Sequence, residues 1–431
     1  MAEAESVAGG GLLAAYRVVG RLALPALKLL HARRVRRGKE DPVRRGERFG
    51  QSGVVPEPGA RVWVHAASVG ETNAVLPLIE WIVERGFKVV LTTGTITSSR
   101  IAAERLPEGA VHQFAPFDVA PLIARFLDSW KPEFAIMVES EIWPATFAEL
   151  HERGIPVVIV NGRMSEGSHR GWSRFGRGGR GVFGCVTMCL AQSQADAERY
   201  ADLGVADVRA TGNLKFDVPP LPFDESALDA LRDQIGERPV WIAASTHPGE
   251  EELLAGVHKG LRETFPELLL ISVPRHPERG PEVADIFASA GLDPSLRSRG
   301  EPIQRRCHVY VADTIGELGL FYRLAPIAFI GGSLVPHGGQ NPIEPAQIGC
   351  AILSGSKVRN FSGIYRSLTE AGGARVVKDA AALQTELAEL LADPRAVMTL
   401  SRAAKASADS GQGALDAVKG VLERAFGKLL D

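Results

Sequence analysis

Beyond residue 50 the chain alternates short apolar runs with longer stretches in which apolar positions recur at helical spacing. The runs are rich in β-branched residues, and each is followed by a helical pattern, which is typical of parallel sheets covered by helices on both faces. The pattern therefore predicts an α/β protein. The predicted strands lie at residues 61–64, 88–92, 134–138, 156–160 and 188–191, and then at 240–243, 268–272, 308–311, 327–330 and 351–353.

A proline-rich break separates the two sets of predicted strands. Residues 217–222 read DVPPLP, a composition suited to a linker. We therefore predict two doubly wound, Rossmann-like domains that face each other across a central cleft. The predicted bounds are 51–216 for the first domain, 217–238 for the linker, 239–405 for the second domain and 406–431 for a C-terminal segment with one helix at 411–430.

The first 50 residues have a different character. Residues 9–30 are mostly apolar, but Arg17, Arg21, Pro25 and Lys28 interrupt them, whereas a spanning helix needs ~20 apolar residues. A helix that lies in the membrane interface fits better, with the basic run that follows against anionic headgroups. The alternative is an amphipathic helix packed on the protein itself. The basic run consists of Arg33, Arg34, Arg36, Arg37, Lys39, Arg44, Arg45 and Arg48.

Bulk composition narrows the class of protein further. The formal net charge is −2, so nothing global indicates a nucleic-acid partner. The four cysteines form no CxxC pair and no Cys/His cluster with zinc spacing, so we expect reduced thiols in a cytoplasmic setting.

The most informative segment joins the first predicted strand to the first helical pattern. Residues 65–71 read HAASVGE and place Glu71 in the first turn of a helix, where the helix dipole favours a carboxylate. Open α/β sheets bind ligands at the carboxyl ends of their strands, so Glu71 is expected to face a ligand. The alternative is a capping box, in which Ser68 is the N-cap and Glu71 returns to its amide.

Three loops of the second half follow predicted strands and are rich in polar, glycine and proline residues. They read STHPGE at 245–250, PRHPER at 274–279, and GGS at 331–333 followed by HGGQNPIEP at 337–345. Pro248 and Pro342 suit first helical positions, so backbone amides and a helix dipole are expected to meet an anion there. Glu344 would accept two ribose hydroxyls. Together the loops predict a nucleotide site without a P-loop.

Several common signatures are absent from the sequence. It contains no GxxxxGK[ST] motif and no Asp-x-Asp pair to hold a metal–nucleotide complex. The GRGGRG stretch at 176–181 matches a dinucleotide fingerprint in letters, but no predicted strand precedes it, so we do not interpret it as one. Its arginines, with Arg163, Arg170 and Arg174, face either phosphates or carboxylates of a substrate or only solvent.

Nine short motifs follow one another in a characteristic order. They are HAASVGE at 65–71, TGT at 93–95, FD at 117–118, ESEIWP at 139–144, NGR at 161–163, GNLK at 212–215, STH at 245–247, PRH at 274–276 and HGGQNP at 337–342. In this order, over residues 39–344, the chain resembles the 3-deoxy-D-manno-octulosonic acid (Kdo) transferases of lipopolysaccharide synthesis. The ordered set is far more specific than any one motif.

The resemblance implies a fold, a reaction and a location. It implies the two-domain GT-B fold, CMP-Kdo as the donor substrate, a lipid A precursor as the acceptor, and neither a metal nor another cofactor. It also implies contact with inner-membrane lipids at the cytoplasmic face of the bacterial inner membrane. The N-terminal segment resembles the family's membrane anchor.

The resemblance also assigns roles to individual residues. Glu71 matches the family's proposed catalytic base, which takes a proton from a glucosamine hydroxyl as that oxygen attacks the Kdo anomeric carbon with inversion. Glu139 or Glu141 is the second inward carboxylate, with a helix-capping acid as the alternative. His65 is expected to be a buried imidazole with its hydrogen bonds satisfied rather than a catalyst. Arg275 and Lys215 would stabilise the departing phosphate without a metal. The predicted donor-binding residues are Lys215, Ser245, His247, Arg275, His276, Gly332, Ser333, Gly338, Gly339, Asn341 and Glu344, and the predicted acceptor-binding residues are Ser68, Gly70, Thr95, Arg163 and Arg170.

Two other functions remain open from the residues. A nucleotide-sugar epimerase of similar fold would share the nucleotide site but need no membrane segment and no acceptor face. A lipid- or nucleotide-binding protein without activity would not need an intact Glu71.

Overall fold

The computed structural model describes residues 11–430, without the side chains of residues 428–430. The first ten residues, which include the start of the predicted membrane segment, and residue 431 lie outside this part. The strands are β1 (Arg61–Ala66), β2 (Lys88–Thr93), β3 (Ala110–Phe114), β4 (Phe134–Val138), β5 (Val157–Gly162), β6 (Met188–Ala191), β7 (Asp207–Ala210), β8 (Val240–Thr246), β9 (Leu269–Pro274), β10 (Pro294–Leu296), β11 (Val309–Val311), β12 (Ile327–Ile330), β13 (Ala351–Gly355) and β14 (Ala374–Val377).

Helices precede, separate and follow these strands. They are α1 (Gly11–Arg36), α2 (Val69–Glu84), α3 (Ile96–Arg105), α4 (Ala120–Trp130), α5 (Pro144–Glu152), α6 (Glu166–Ser173), α7 (Arg177–Phe183), α8 (Gln194–Asp202), α9 (Glu225–Ile235), α10 (Glu251–Arg262), α11 (Gly280–Ser289), α12 (Leu318–Tyr322), α13 (Ile343–Ile348), α14 (Ser362–Glu370), α15 (Ala380–Ala392), α16 (Pro394–Ser410) and α17 (Ala414–Leu430).

The chain forms two compact domains. The first contains the described residues up to Val218 and those from Gly411 on, and the second contains Pro219–Ser410. The segment 217–238, which we predicted as a linker, holds helix α9, and α9 belongs to the second domain. Helix α17, at the end of the chain, belongs to the first.

Each domain is built on one parallel sheet of seven strands. The order is β3-β2-β1-β4-β5-β6-β7 in the first domain and β10-β11-β9-β8-β12-β13-β14 in the second. In both sheets the strand order reverses beside the first strand, between β1 and β4 and between β8 and β12. Ligands bind at such switch points in doubly wound sheets, so the loops after these four strands define where to look for a site.

The core of the first domain has two layers, one on each face of its sheet. Along β1, Val62 and Val64 belong to one buried cluster and Trp63 to the other, because successive strand residues point to opposite faces. Phe426 of α17 joins the first cluster and stacks on Phe134 with ring centroids 4.8 Å apart. Asp217 accepts hydrogen bonds from the backbone amides at the start of α17, and these bonds fix that helix to the first domain.

Helix α1 packs on the first domain with one face only. Leu13 is buried, and Arg17 pairs with Glu149 at 3.3 Å and with Glu152 at 2.7 Å, both on α5. The packed-helix alternative is therefore correct for this face. The other face exposes apolar side chains, namely Val18, Val19, Leu22, Leu29 and Leu30. Within residues 11–430, no helix is both long and apolar enough to cross a bilayer.

Part of the basic run has a structural role that the sequence did not predict. Arg48 is buried and pairs with Glu40 at 3.0 Å, and Arg34 pairs with the same carboxylate at 2.9 Å. Arg44 pairs with Glu47 at 2.8 Å. The expectation that the whole run lies against headgroups is wrong for these three arginines, because local carboxylates bind them. The exposed basic residues are Arg33, Arg36, Arg37, Lys39 and Arg45.

Candidate active site

Glu71 lies at the carboxyl edge of the first sheet, in the first turn of α2. Ser68 is the N-cap, and its hydroxyl donates a 2.7 Å hydrogen bond to Glu71 Oε1. The amide of Ala67 donates to Oε2 at 2.7 Å. The capping interpretation is thus confirmed for Ser68, although the carboxylate returns to the amide of Ala67 rather than to that of Ser68. Burial, and next the negative charge of Glu139, raise the pKa of Glu71 above its usual range.

Glu139 follows β4 at the other side of the switch point. Its carboxylate accepts hydrogen bonds from Lys215 at 2.5 Å and from Asn161 at 3.3 Å. Asn161 in turn accepts a hydrogen bond from the backbone amide of Leu214 at 3.0 Å. Asn161 therefore contacts both Glu139 and the residue that precedes Lys215. Both Glu139 (φ 61°) and Asn161 (φ 57°) adopt the left-handed backbone conformation. Such conformations cost roughly 1–3 kcal/mol each and concentrate at functional sites.

Glu141 belongs to a separate pair with His65. The Trp63 indole donates to the Thr92 hydroxyl at 2.9 Å, and His65 Nδ1 contacts the same hydroxyl at 2.9 Å. The other ring nitrogen of His65, Nε2, lies 3.5 Å from Glu141 Oε2. Burial alone would raise the pKa of Glu141, but the nearby His65 and the hydrogen bond from Trp143 outweigh it and hold that pKa below its usual range. His65 is buried, as predicted, but only its Nδ1 has a hydrogen-bond partner among the described residues.

Lys215 lies between Glu139 and the turn that carries Glu71. It lies on the 3-10 helix Leu214–Phe216, and its Cε is 4.0 Å from the position that a Cβ on Gly70 would occupy. We had predicted a role for Lys215 in donor binding; here its ammonium neutralises Glu139, next to the turn that carries Glu71. The pKa of Glu71 is raised whereas that of Glu141 is lowered, and hydrogen bonds from Ser68 and Ala67 hold both oxygens of Glu71.

The residues predicted to bind the acceptor lie at several places in the first domain and differ in exposure. Ser68, Gly70 and Thr95 are exposed at the strand ends, and Thr95 is the N-cap of α3. The backbone amide of Arg163 donates to the carbonyl of Glu139 at 3.4 Å. Arg170 is exposed on α6. The GRGGRG stretch follows α6 rather than a strand, which confirms that it is not a dinucleotide fingerprint.

In the second domain, imidazoles gather on the loops after β8, β9 and β12. The rings of His247 and His337 stack with centroids 3.6 Å apart, and that of His276 is 6.2 Å from His247. Burial, and next the proximity of His337, lower the pKa of His247 to about 4. His247 therefore stays neutral near pH 7, and its Nε2 contacts the Gln340 amide at 2.9 Å.

A buried carboxylate organises the glycine-rich loop after β12. Glu250 accepts hydrogen bonds from the amides of Gly332 at 2.6 Å, Ser333 at 2.9 Å and Leu334 at 2.9 Å, and from that of His247 at 3.1 Å. The amides that we expected to meet a donor anion are thus directed at a protein carboxylate. The sequence predicted this loop but gave Glu250 no role of its own.

The remaining residues predicted to bind the donor lie on the same loops. The amides of Gly338 and Gly339 donate to the carbonyl of Gly332, and both glycines have positive φ. Asn341 donates to Glu344 at 3.1 Å, and burial raises the pKa of Glu344. Ser245, the last residue but one of β8, has φ 58°, and Arg275 and His276 are exposed after β9.

The two prolines of these loops differ in their relation to the helices. Pro342 is the N-cap of α13, one residue before the first helical position that we predicted for it. Pro248 does not begin a helix: it lies in a turn that the amide of Glu250 closes onto the carbonyl of His247, and α10 begins only at Glu251.

The two doubly wound domains place the protein in the GT-B class of α/β folds. A putative UDP-N-acetylglucosamine 2-epimerase from Listeria monocytogenes has the same fold, with a TM-score of 0.58 over 86% of this chain and 98% of that one, at 13% identity. Residues 43–218 match the family model described as 3-Deoxy-D-manno-octulosonic-acid transferase (kdotransferase).

Curated relatives extend this match over nearly the whole chain. A probable mitochondrial 3-deoxy-D-manno-octulosonic acid transferase of Arabidopsis thaliana is 34% identical over 90% of this chain and 91% of its own length. The transferase of Haemophilus influenzae is 34% identical over 87% of this chain and 90% of its own. The chain therefore belongs to the 3-deoxy-D-manno-octulosonic acid transferase family. The predicted enzyme class, a Kdo glycosyltransferase of lipopolysaccharide synthesis, is confirmed, and the epimerase alternative keeps only a likeness of fold.

Proposed function

We propose that the protein moves Kdo from CMP-Kdo to a hydroxyl of a lipid A precursor, with Glu71 as the general base. The observation that carries the assignment of the base is the raised pKa of Glu71 at the switch point of the first sheet. A carboxylate with a raised pKa is a stronger base than an ordinary one and accepts a proton more effectively. Ser68 and Ala67 hold both of its oxygens in place.

In the proposed step, the acceptor oxygen forms a bond to the Kdo anomeric carbon as the bond from that carbon to the CMP phosphate oxygen breaks. The hydroxyl proton passes to Glu71, and the electron pair of the breaking bond leaves with CMP. The transition state has oxocarbenium-ion character, as in glycoside hydrolysis. Glu139 pairs with Lys215, and Glu141 pairs with His65. In the proposed mechanism these two carboxylates determine the electrostatic potential around Glu71 and do not accept the proton.

The departing phosphate needs cationic or hydrogen-bonding partners. We propose that Arg275 and His276, exposed after β9, and the loop of Gly338 and Gly339 supply them. Within residues 11–427, no group of His, Cys, Asp and Glu is arranged to hold a metal ion. Metal-independent binding of the donor is a separate proposal, which calorimetry tests.

We expect the full-length protein to bind CMP in the presence of EDTA. Arg275→Ala should weaken this binding about 10- to 100-fold, the range of a lost hydrogen bond to a charged group. Arg177→Ala removes an exposed guanidinium from the GRGGRG stretch and is the matched control, with unchanged affinity. Binding that required added magnesium, or equal losses in both variants, would contradict the proposed donor site.

We also propose that the apolar face of α1 rests in the interface of an anionic membrane, where the acceptor lipid resides. Leu22 is 76% exposed and Leu29 is 65% exposed, whereas the opposite face of the helix is packed. The exposed basic residues that follow would lie near anionic headgroups, each worth about 1 kcal/mol when well placed. The finer location, the cytoplasmic face of the inner membrane, belongs to the same proposal.

Replacing Leu22, Leu29 and Leu30 together with Ser is expected to shift the protein from the pellet to the supernatant in vesicle sedimentation. High salt should release part of the wild-type protein, because part of the binding is electrostatic. Ile315→Ser, which alters a side chain that is 88% exposed in the second domain, should leave sedimentation unchanged. A triple variant that sediments like wild type would mean that this face of α1 does not bind membranes.

One assay separates the proposed activity from its alternatives. The purified protein is incubated with CMP-Kdo and lipid A precursor, and the products are identified by mass. A Kdo–lipid product supports the proposal, isomerised donor would indicate an epimerase, and unchanged substrates would indicate a binding protein.

A further inference from the structure

Arg48 lies before the first sheet begins, on the 3-10 helix Arg45–Phe49, and its guanidinium is buried against the carboxyl ends of β2 and β3. Nη2 donates a 2.7 Å hydrogen bond to the carbonyl of Gly94, and Nη1 donates at 3.1 Å to the carbonyl of Ala115. Nε donates to Glu40 at 3.0 Å, which balances the charge. One side chain thus fixes the loops after two neighbouring strands.

The contact with Gly94 continues to the proposed base through two residues. The amide of Gly94 donates to the carbonyl of Ala67 at 3.1 Å, and the amide of Ala67 donates to Glu71 Oε2 at 2.7 Å. A Cβ on residue 94 would stand 2.9 Å from the carbonyl oxygen of Ala67, so only glycine allows this approach. The series Arg48, Gly94, Ala67, Glu71 is therefore continuous.

We propose that Arg48 is a positioning residue for the reaction: it holds Gly94, and through Gly94 the Ala67 amide that orients the Glu71 carboxylate. The proposal rests on the assignment of Glu71 as the base. Arg48 itself touches no residue predicted to bind the donor. A guanidinium suits the task because its planar fork reaches three acceptors at fixed angles, whereas an ammonium on a flexible stem does not.

The pH dependence of the rate distinguishes this positioning role of Arg48 from a simple loss of stability. The hydrogen bond from the Ala67 amide is one of the interactions that lower the pKa of Glu71. If Gly94 and Ala67 shift, this bond weakens and the pKa of Glu71 rises further. A carboxylate acts as a general base only when it is ionised, and its ionised fraction falls as the pH drops through its pKa. A higher pKa of Glu71 should therefore move the acid limb of the pH–rate profile to higher pH.

The test compares Arg48→Lys with Arg44→Lys in the full-length enzyme. Arg44 is a half-buried arginine beside the same 3-10 helix, but it contacts Glu47, Ser99 and His112 rather than Gly94. Arg48→Lys should lower kcat about 10- to 100-fold, the range of a misplaced catalytic group. The KM for CMP-Kdo should stay unchanged, and the acid limb should move to higher pH. Arg44→Lys should lose thermal stability without moving that limb.

Gly94→Ala probes the same series at its second residue and decides the matter if Arg48→Lys does not fold. Its added Cβ meets the Ala67 carbonyl, so the acid limb should move in the same direction. An unmoved limb, with activity that falls only as the folded fraction falls, would overturn the positioning role. Retained activity in Glu71→Gln would instead overturn the assignment of the base, so the two failures are distinguishable.

Discussion

Glu71→Gln is expected to lower kcat for Kdo transfer by about 10²–10⁴-fold, the usual contribution of a general base. The amide keeps the size of the side chain and one acceptor oxygen, so Ser68 can still cap α2. It has no basic oxygen to take the acceptor proton. Affinity for CMP should survive, because Glu71 belongs to the first domain and the proposed donor site is built from loops of the second. Steady-state kinetics and calorimetry on the same preparation check both statements.

The matched control for this prediction is Glu141→Gln. Glu141 belongs to the same carboxylate cluster and is bound by Trp143 at 2.6 Å, but its pKa is lowered rather than raised. Its replacement should reduce kcat much less than Glu71→Gln does. Wild-type activity should also fall as the pH drops through the raised pKa of Glu71, and this limb should be missing from any residual activity of Glu71→Gln. Near-normal turnover by that variant would remove Glu71 from the mechanism.

The sequence predicted the interior of both sheets and missed their edges. All ten predicted strands are present, with shifts of a few residues at their ends, whereas β3, β7, β10 and β14 were not predicted. These four are the outermost strands of the two sheets. Strands with neighbours on both sides are covered by helices on both faces and read as continuous apolar runs. An edge strand such as β7 is half exposed, and its sequence DVRA carries no such run.

In the candidate site, contacts between residues close in sequence were predictable and contacts between distant residues were not. The cap of Glu71 was predictable because Ser68 and Glu71 are three residues apart and the spacing itself carries the signal. Glu250 and Gly332 are 82 residues apart, and Arg48 and Gly94 are 46 apart. Neither pair leaves a periodic or spaced pattern, since the fold alone brings the partners together. The pairing of Lys215 with Glu139 was not predictable for the same reason, because Glu139 lies on a distant loop.

Glu250→Gln is expected to destabilise the second domain by about 3–5 kcal/mol, the cost of breaking a buried charged network. In the present structure, Oε1 accepts from the amides of Ser333 and Leu334, and Oε2 accepts from those of Gly332 and His247. A glutamine can keep only one of these pairs, because its amide group would meet the other two N–H groups as a second donor. Each buried amide left unpaired costs about 1–3 kcal/mol.

The same substitution should weaken CMP binding, because Gly332 also receives the amides of Gly338 and Gly339 in the proposed donor site. Glu252→Gln is the matched control: Glu252 lies on α10, two residues further along the chain, but is exposed, so its loss should change neither stability nor affinity. Urea unfolding of both variants gives the free energies, and calorimetry gives the CMP affinity. A Glu250→Gln protein that unfolds and binds CMP like wild type would show that the loop after β12 keeps its conformation without this carboxylate.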